Sequence, residues 1–194
     1  PVPITYGLRL SGNLDERSRI GLMNIQTNPM DRQPSQNFTA ASFQRKVLKR
    51  SVIKGLLLNR QGIKDSEWLA TDYGRNAGLE MDYVSQDGKW SANLGYNQSF
   101  KHNISQEASA ITGRLNFGGR NFRTILFGGH VGNNYYADMG FVPQVSNYDA
   151  ERDTIIRLGY TRFYNSLDYF VLPADNPRIN QHWLGLENNI VFNN

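Results

Sequence analysis

Lys89-Trp90-Ser91-Ala92-Asn93-Leu94-Gly95-Tyr96-Asn97-Gln98-Ser99-Phe100-Lys101 alternates apolar and polar side chains. Trp90, Ala92, Leu94, Tyr96 and Phe100 fall on one side; Lys89, Ser91, Asn93, Gly95, Asn97, Ser99 and Lys101 fall on the other. This period of two marks a β-strand, because successive side chains of an extended chain point to opposite faces. The preceding segment repeats the pattern: Ala77, Leu79, Met81 and Tyr83 oppose Asn76, Gly78, Glu80 and Asp82. Between the two lies Gln86-Asp87-Gly88, and Asp-Gly is a strong hairpin-turn signal. Residues 73–101 therefore read as one long β-hairpin with an apolar face and a polar face.

Working outward, the alternation recurs. Ile4, Tyr6, Leu8 and Leu10 oppose Thr5, Gly7, Arg9 and Ser11. Ile111, Leu115 and Phe117 oppose Thr112, Arg114 and Asn116. Ile156, Leu158 and Tyr160 oppose Arg157, Gly159 and Thr161, and Leu184, Leu186, Ile190 and Phe192 oppose Gly185, Glu187 and Asn189. In 17–27, 51–60 and 121–131 both faces carry apolar groups, so the register stays open there. The count is about eleven strands, most near the roughly ten-residue length that crosses an outer membrane when tilted. Soluble strands are shorter, typically about five or six residues.

Connections alternate in length. Short turns are expected at Asn13–Glu16, Leu48–Arg50, Asp87-Gly88, Gly118–Asn121 and Asn165-Ser166. Longer loops are expected at Asn28–Gln36, Gln61–Asp72, His102–Glu107, Asn133–Ala150 and Pro173–Arg178. An outer-membrane barrel has this rhythm, with tight periplasmic turns and long outer loops; a Greek-key sandwich does not require it. The expectation is an all-β fold, an antiparallel up-and-down transmembrane β-barrel or part of one, as a single domain over 1–194 in the bacterial outer membrane. On this reading the first and last strands both run toward the periplasm. The strand-like beginning at Ile4 and the non-terminal Phe192 suggest an excerpt of a larger barrel.

Composition agrees. The 194 residues are 39% hydrophobic, with 10 Tyr, 10 Phe and 3 Trp, and mean hydropathy is −0.54. Low hydropathy with many aromatics suits strands apolar on one face only, whereas a disordered chain lacks the aromatics. No run approaches the roughly eighteen apolar residues of a membrane helix. The absence of cysteine removes disulfides and thiolate metal sites. The net charge of +4 is scattered rather than clustered, which gives no nucleic-acid signature.

Chemistry-bearing motifs are sparse. There is no phosphate loop, no histidine pair at metal spacing and no nucleophile elbow, so no catalytic residue, metal site or cofactor is expected. His130 with Ser99 or Asp138 resembles a rim catalytic pair, but a polar wall explains the same residues more simply. The charged residues of the polar face form the candidate lumen lining: Arg9, Glu80, Asp82, Lys89, Lys101, Arg114, Arg157 and Glu187. The plain alternative is the solvated face of an open sheet. Aromatics near strand ends (Trp68, Tyr73, Trp90, Tyr135, Tyr136, Tyr164, Trp183) suit interfacial girdles. Of the loop aromatics, Trp68, Tyr135, Tyr136 and Tyr148 are the candidates for stacking on a sugar.

The runs Ile20–Thr27 and Ser51–Leu58 with Asn59-Arg60-Gln61, and above all Asp138-Met139-Gly140-Phe141-Val142, resemble a family of Bacteroidota outer-membrane proteins. Its members join an N-terminal module similar to carbohydrate-binding family nine to a large barrel of uncharacterised function. The resemblance implies an outer-membrane barrel larger than this chain and a glycan-related role, and it supplies no catalytic residue. The N-terminal module has no counterpart here. The leading expectation is a pore, transport or envelope-complex barrel. Its partners would be outer-membrane lipid and lipopolysaccharide, with an oligosaccharide or an envelope protein as the further one. Two alternatives are a soluble lipocalin-like barrel around a hydrophobic ligand and an outer-membrane enzyme acting on lipid or glycan.

Overall fold

The computed structural model describes residues 2–30, 33–140, 145–173 and 180–193. The elements in chain order are β1 (Ile4–Asn13), β2 (Ser18–Thr27), β3 (Ser35–Val47), β4 (Ser51–Lys64), β5 (Glu67–Val84), β6 (Trp90–Lys101), β7 (Ser109–Gly118), β8 (Phe122–Val131), β9 (Ser146–Asp149), β10 (Thr154–Arg157), β11 (Tyr160–Val171) and β12 (His182–Asn193). Ten of them form one antiparallel up-and-down sheet in the order β1-β2-β3-β4-β5-β6-β7-β8-β11-β12; β9 and β10 form a separate two-stranded ribbon. No helix occurs among the described residues. The sheet does not close: β1 and β12 are outer edges, each paired on one side only.

The hairpin at the centre of the sequence argument is present. Met81 pairs with Leu94, Leu79 with Tyr96 and Tyr83 with Ala92, so the apolar residues of β5 and β6 share a face. Gly88 holds the turn at φ 72°, a conformation that costs glycine little. The register carries this face across the sheet: Tyr96 pairs with Ile111, Leu115 with Leu126 and Phe163 with Ile190. Most of its large side chains stand open to the surroundings; Leu79, Leu94, Leu184 and Leu186 are each more than half exposed. At the short-turn end the face finishes in Tyr83, Trp90, Phe117, Phe122 and Tyr169, with the Trp90 and Phe117 ring centroids 4.7 Å apart. At the other end of β2–β5 it turns polar. There the Asn24 amide donates to Asn37 Oδ1 (3.0 Å) and Thr39 Oγ1 (2.8 Å), and Arg75 donates to Asn59 (3.0 Å).

The accessible surface is 13652 Å², where a compact protein of 22.1 kDa exposes about 9,300 Å². The excess follows from a single layer with both faces open. Four buried apolar residues, Ala110, Val131, Tyr135 and Val145, cluster where the segment after β8 folds back onto the polar face.

Several sequence expectations are corrected. Gln61–Asp72 is not a long loop: β4 and β5 stay paired through Ile63↔Trp68 and Lys64↔Glu67, past a register shift, and close in a tight turn at Asp65 and Ser66. Asn165-Ser166 is not a turn: β11 runs straight through it, with Asn165 opposite Leu126 and Asn188. The sheet therefore has ten strands rather than about eleven, and β1 and β12 run antiparallel. Ile156 and Arg157 lie in the ribbon, not in the sheet. Otherwise the rhythm of connections stands. Turns 14–17, 48–50, 85–89 and 119–121 share one end of the sheet, and 28–34, 102–108 and 132–159 share the other. The connection through Pro173–Arg178 falls at the short-turn end, and most of it lies outside the described residues.

Candidate functional site

The polar face carries Arg9, Glu80, Asp82, Lys101, Arg114 and Glu187, as the alternation predicts. Lys89 does not join them. It sits in the β5–β6 turn, exposed, 3.9 Å from Asp87. Arg157 reaches this side from the ribbon instead of from a sheet strand.

Two features are built on this face. The first is a hollow of about 550 Å³ over β1–β6, whose lining includes Arg9, Arg19, Ser42, Lys54, Glu80 and Asn97. One cross-strand row beneath it reads Ser11, Gly21, Ser42, Leu56, Gly78, Asn97, with the Ser42 and Asn97 side chains lying over the two glycines. At one side of the hollow the Lys54 ammonium bridges Glu80 (2.7 Å) and Asp82 (2.5 Å).

The second feature is an inward-folded segment, 132–140, between β8 and the ribbon. The Gly132 N–H donates to the Ser109 carbonyl (2.9 Å) and the Asn134 N–H to that of Glu107 (3.0 Å). A Cβ on Gly132 would overlap the Glu107 backbone, so the close approach needs glycine. Tyr135 is buried against Ala110, Val131 and Val145. That burial raises the pKa of its hydroxyl and takes the ring out of reach of a sugar. The Tyr136 carbonyl accepts from the Asn76 amide (2.7 Å), and its N–H donates to Ser99 Oγ (3.2 Å). The Lys101 ammonium and the Arg157 guanidinium both stack on the Tyr136 ring, 4.5 and 4.0 Å from its centroid.

The segment ends in a carboxylate latch. Asp138 accepts from Arg60 Nε at 2.9 Å and from Lys101 Nζ at 2.9 and 3.1 Å. Arg60 is fixed independently, because its Nη1 donates to Asp72 (2.6 Å) and to Gln36 (2.8 Å). Two glycines seat the acids: a Cβ on Gly62 would overlap the Asp72 carboxylate, and one on Gly74 would overlap that of Asp138. In the sequence Arg60 and Asp138 stand in separate family-like motifs, and Asp138 also offers itself as a partner of His130, so nothing there joins Asp138 to Arg60. The one legible signal was Gly62 two residues after Arg60 and Gly74 in the neighbouring strand segment, both in polar stretches.

The remaining candidates separate. Trp68 stands 64% exposed on the extended β4–β5 hairpin, and Tyr148 stands in the ribbon with its hydroxyl on Asp153 (2.6 Å). That bond raises the Tyr148 pKa. Trp183 and Tyr164 lie on the polar face rather than in a girdle: Trp183 donates to Asp168 (2.8 Å), and Tyr164 pairs with Phe127. His130 pairs with Ile111 on the apolar face and contacts Thr161 Oγ1 (2.9 Å). Ser99 and Asp138 lie on the opposite side, so neither catalytic pair forms. Among the described residues no group of three His, Cys, Asp or Glu side chains converges as metal ligands.

The fold and site thus define an open antiparallel β-meander, with one apolar face, one charged face and a latched inward segment on the charged side. No family model, curated protein or solved structure matches this chain.

Proposed function

We propose that this chain forms part of the wall of a bacterial outer-membrane β-barrel that passes solutes, with the apolar face toward lipid and the charged face toward a hydrated lumen. The observation that carries this reading is the sidedness of the exposed surface. Leu79, Leu94, Tyr96, Ile111, Leu126, Phe163, Leu184 and Leu186 are exposed on one face, while the hollow lies against the charged face. A soluble barrel around a hydrophobic ligand needs the reverse, with the apolar side chains inside. On β6 the apolar face runs from Trp90 to Phe100, about 34 Å of strand. Tilted by about 40°, that length suits an apolar band about 25 Å tall.

The same reading makes a demand on the edges. Unpaired backbone groups inside hydrocarbon cost several kcal/mol each, so the free sides of β1 and β12 need further strands or another copy of the chain. The short turns then face the periplasm and the 132–159 connection faces outward. An envelope-complex role and a link to glycan uptake rest only on the family resemblance.

Fractionation of the source cells, detergent extraction and intact-mass analysis test this proposal. The expected result is an outer-membrane polypeptide released only by detergent. Recovery in the soluble fraction without detergent overturns it.

A further inference from the structure

We propose that Arg60, Lys101 and Gly74 form an oxyanion-binding site on the charged face, in which the Asp138 carboxylate is a resident stand-in for the carboxylate or phosphate group of a solute. The inference deepens the pore reading and rests on it for the site's access to solutes.

Arg60 does not depend on Asp138 for its placement, and Lys101 is carried by a strand of the sheet. Arg60 projects from β4 and is held by Asp72 and Gln36 through its Nη1, which leaves Nε aimed at the latch position. Lys101 projects from β6, in the same cross-strand row as Gly74 and Arg60. The floor is Gly74, whose missing side chain leaves the space that the acid fills. Asp138, by contrast, belongs to a connecting segment that lies across the face and is not a strand of the wall. The site thus has one independently anchored donor, a second donor carried on a sheet strand, and a tethered occupant.

Charge favours the same class of ligand. Arg60 and Lys101 converge on Asp138, with Asp72 on Arg60, and Arg157 lies on the Tyr136 ring that Lys101 also contacts. Withdrawal of Asp138 leaves two cations with one carboxylate, Asp72. Arg157 Nε is in addition a buried donor without a hydrogen-bond partner among the described residues. Charge-assisted donors at partly dry positions favour an anionic oxygen over a neutral hydroxyl. Asp138 supplies such an oxygen from within the chain.

The test uses the full chain in detergent micelles with inorganic phosphate as the probe, followed by isothermal titration. D138N is expected to bind phosphate about tenfold more tightly than the parent, since charge-assisted donors are freed from an internal competitor. The double variant D138N/R60Q is expected to lose that gain. Equal affinity in D138N and the parent, or a gain that survives R60Q, overturns the proposal. A second measurement uses the unmodified protein, so it stands even if D138N misfolds. Phosphate is expected to speed chymotryptic cleavage at Tyr135 or Tyr136 by displacing the latch, and chloride at matched ionic strength is not. Equal rates in the two salts overturn the site. Both measurements are made in micelles, so they are indifferent to cellular location; failure of the pore reading appears in the fractionation instead.

Discussion

The Asp138 carboxylate lies directly over Gly74, in the space a Cβ would occupy. The two residues belong to a connecting segment and a mid-sheet strand, and the absence of one side chain lets the other dock between Arg60 and Lys101. Gly74→Ala should therefore act on the segment, not on the sheet. Overpacking of a fitted site costs about 1–3 kcal/mol, and here the tethered side can yield. The expected outcome is faster chymotryptic cleavage at Tyr135 and Tyr136, with unchanged far-UV circular dichroism. Unchanged cleavage would show that Asp138 does not hold the segment down.

Leu94 and Asn93 are neighbours in β6 with opposite surroundings: Leu94 is 61% exposed on the apolar face, and Asn93 donates to Asp82 (2.7 Å) on the charged one. Leu94→Arg should block membrane assembly, at a cost of about 2–4 kcal/mol near mid-bilayer. Asn93→Arg should assemble. Heat-modifiable mobility of the extracted protein reads both, and normal folding of Leu94→Arg would reverse the assignment of faces.

What the sequence disclosed follows from how strongly each segment is constrained. The 73–101 hairpin was legible because one face is apolar over most of its length, from Ala77 to Tyr83 and from Trp90 to Tyr96, so a one-residue slip would invert it. Gln61–Asp72 read as a loop because its polar, Gly-containing stretch lacks alternation, yet backbone pairing continues to Lys64↔Glu67. Asn165-Ser166 read as a turn from its composition, but both are ordinary strand positions, opposite Leu126 and Ile125 of β8. That one misreading changed the strand parity and moved the final connection to the other end of the sheet. The polar-face charges were legible from period two alone, except Lys89 and Arg157, which the turn and the ribbon removed from the sheet. The Asp138 latch was not legible, because it joins residues far apart in sequence through a segment with no periodicity.

The Lys54–Glu80–Asp82 trio has short contacts, but each side chain is more than a third exposed. Ion pairs at such positions are screened by water and contribute at most about 1 kcal/mol. Lys54→Met should therefore shift the urea midpoint only slightly while altering the charge of the hollow. A loss of about 3 kcal/mol or more, the scale of a broken buried pair, would mean that the trio is sealed from water in the assembled protein.

The β5–β6 turn carries a pH prediction. Asp87 accepts from the Ser85 hydroxyl (2.6 Å) and from the Lys89 backbone N–H (3.1 Å). The Ser85 bond, then the Lys89 bond, holds its carboxyl below the ordinary carboxylate range. The folded pKa is depressed relative to the unfolded chain. The stabilising contribution is therefore complete above the unfolded carboxylate pKa and disappears as the pH falls through the lower folded value. The same sign applies to Asp15, whose carboxylate accepts from the backbone N–H groups of Arg17 (2.6 Å) and Ser18 (2.7 Å) in the β1–β2 turn. Asp87→Asn, compared with the parent by urea unfolding, should be less stable at neutral pH, and the gap should close in acid. A gap of constant size from neutral to acid pH would show that ionisation of Asp87 plays no part in holding the turn.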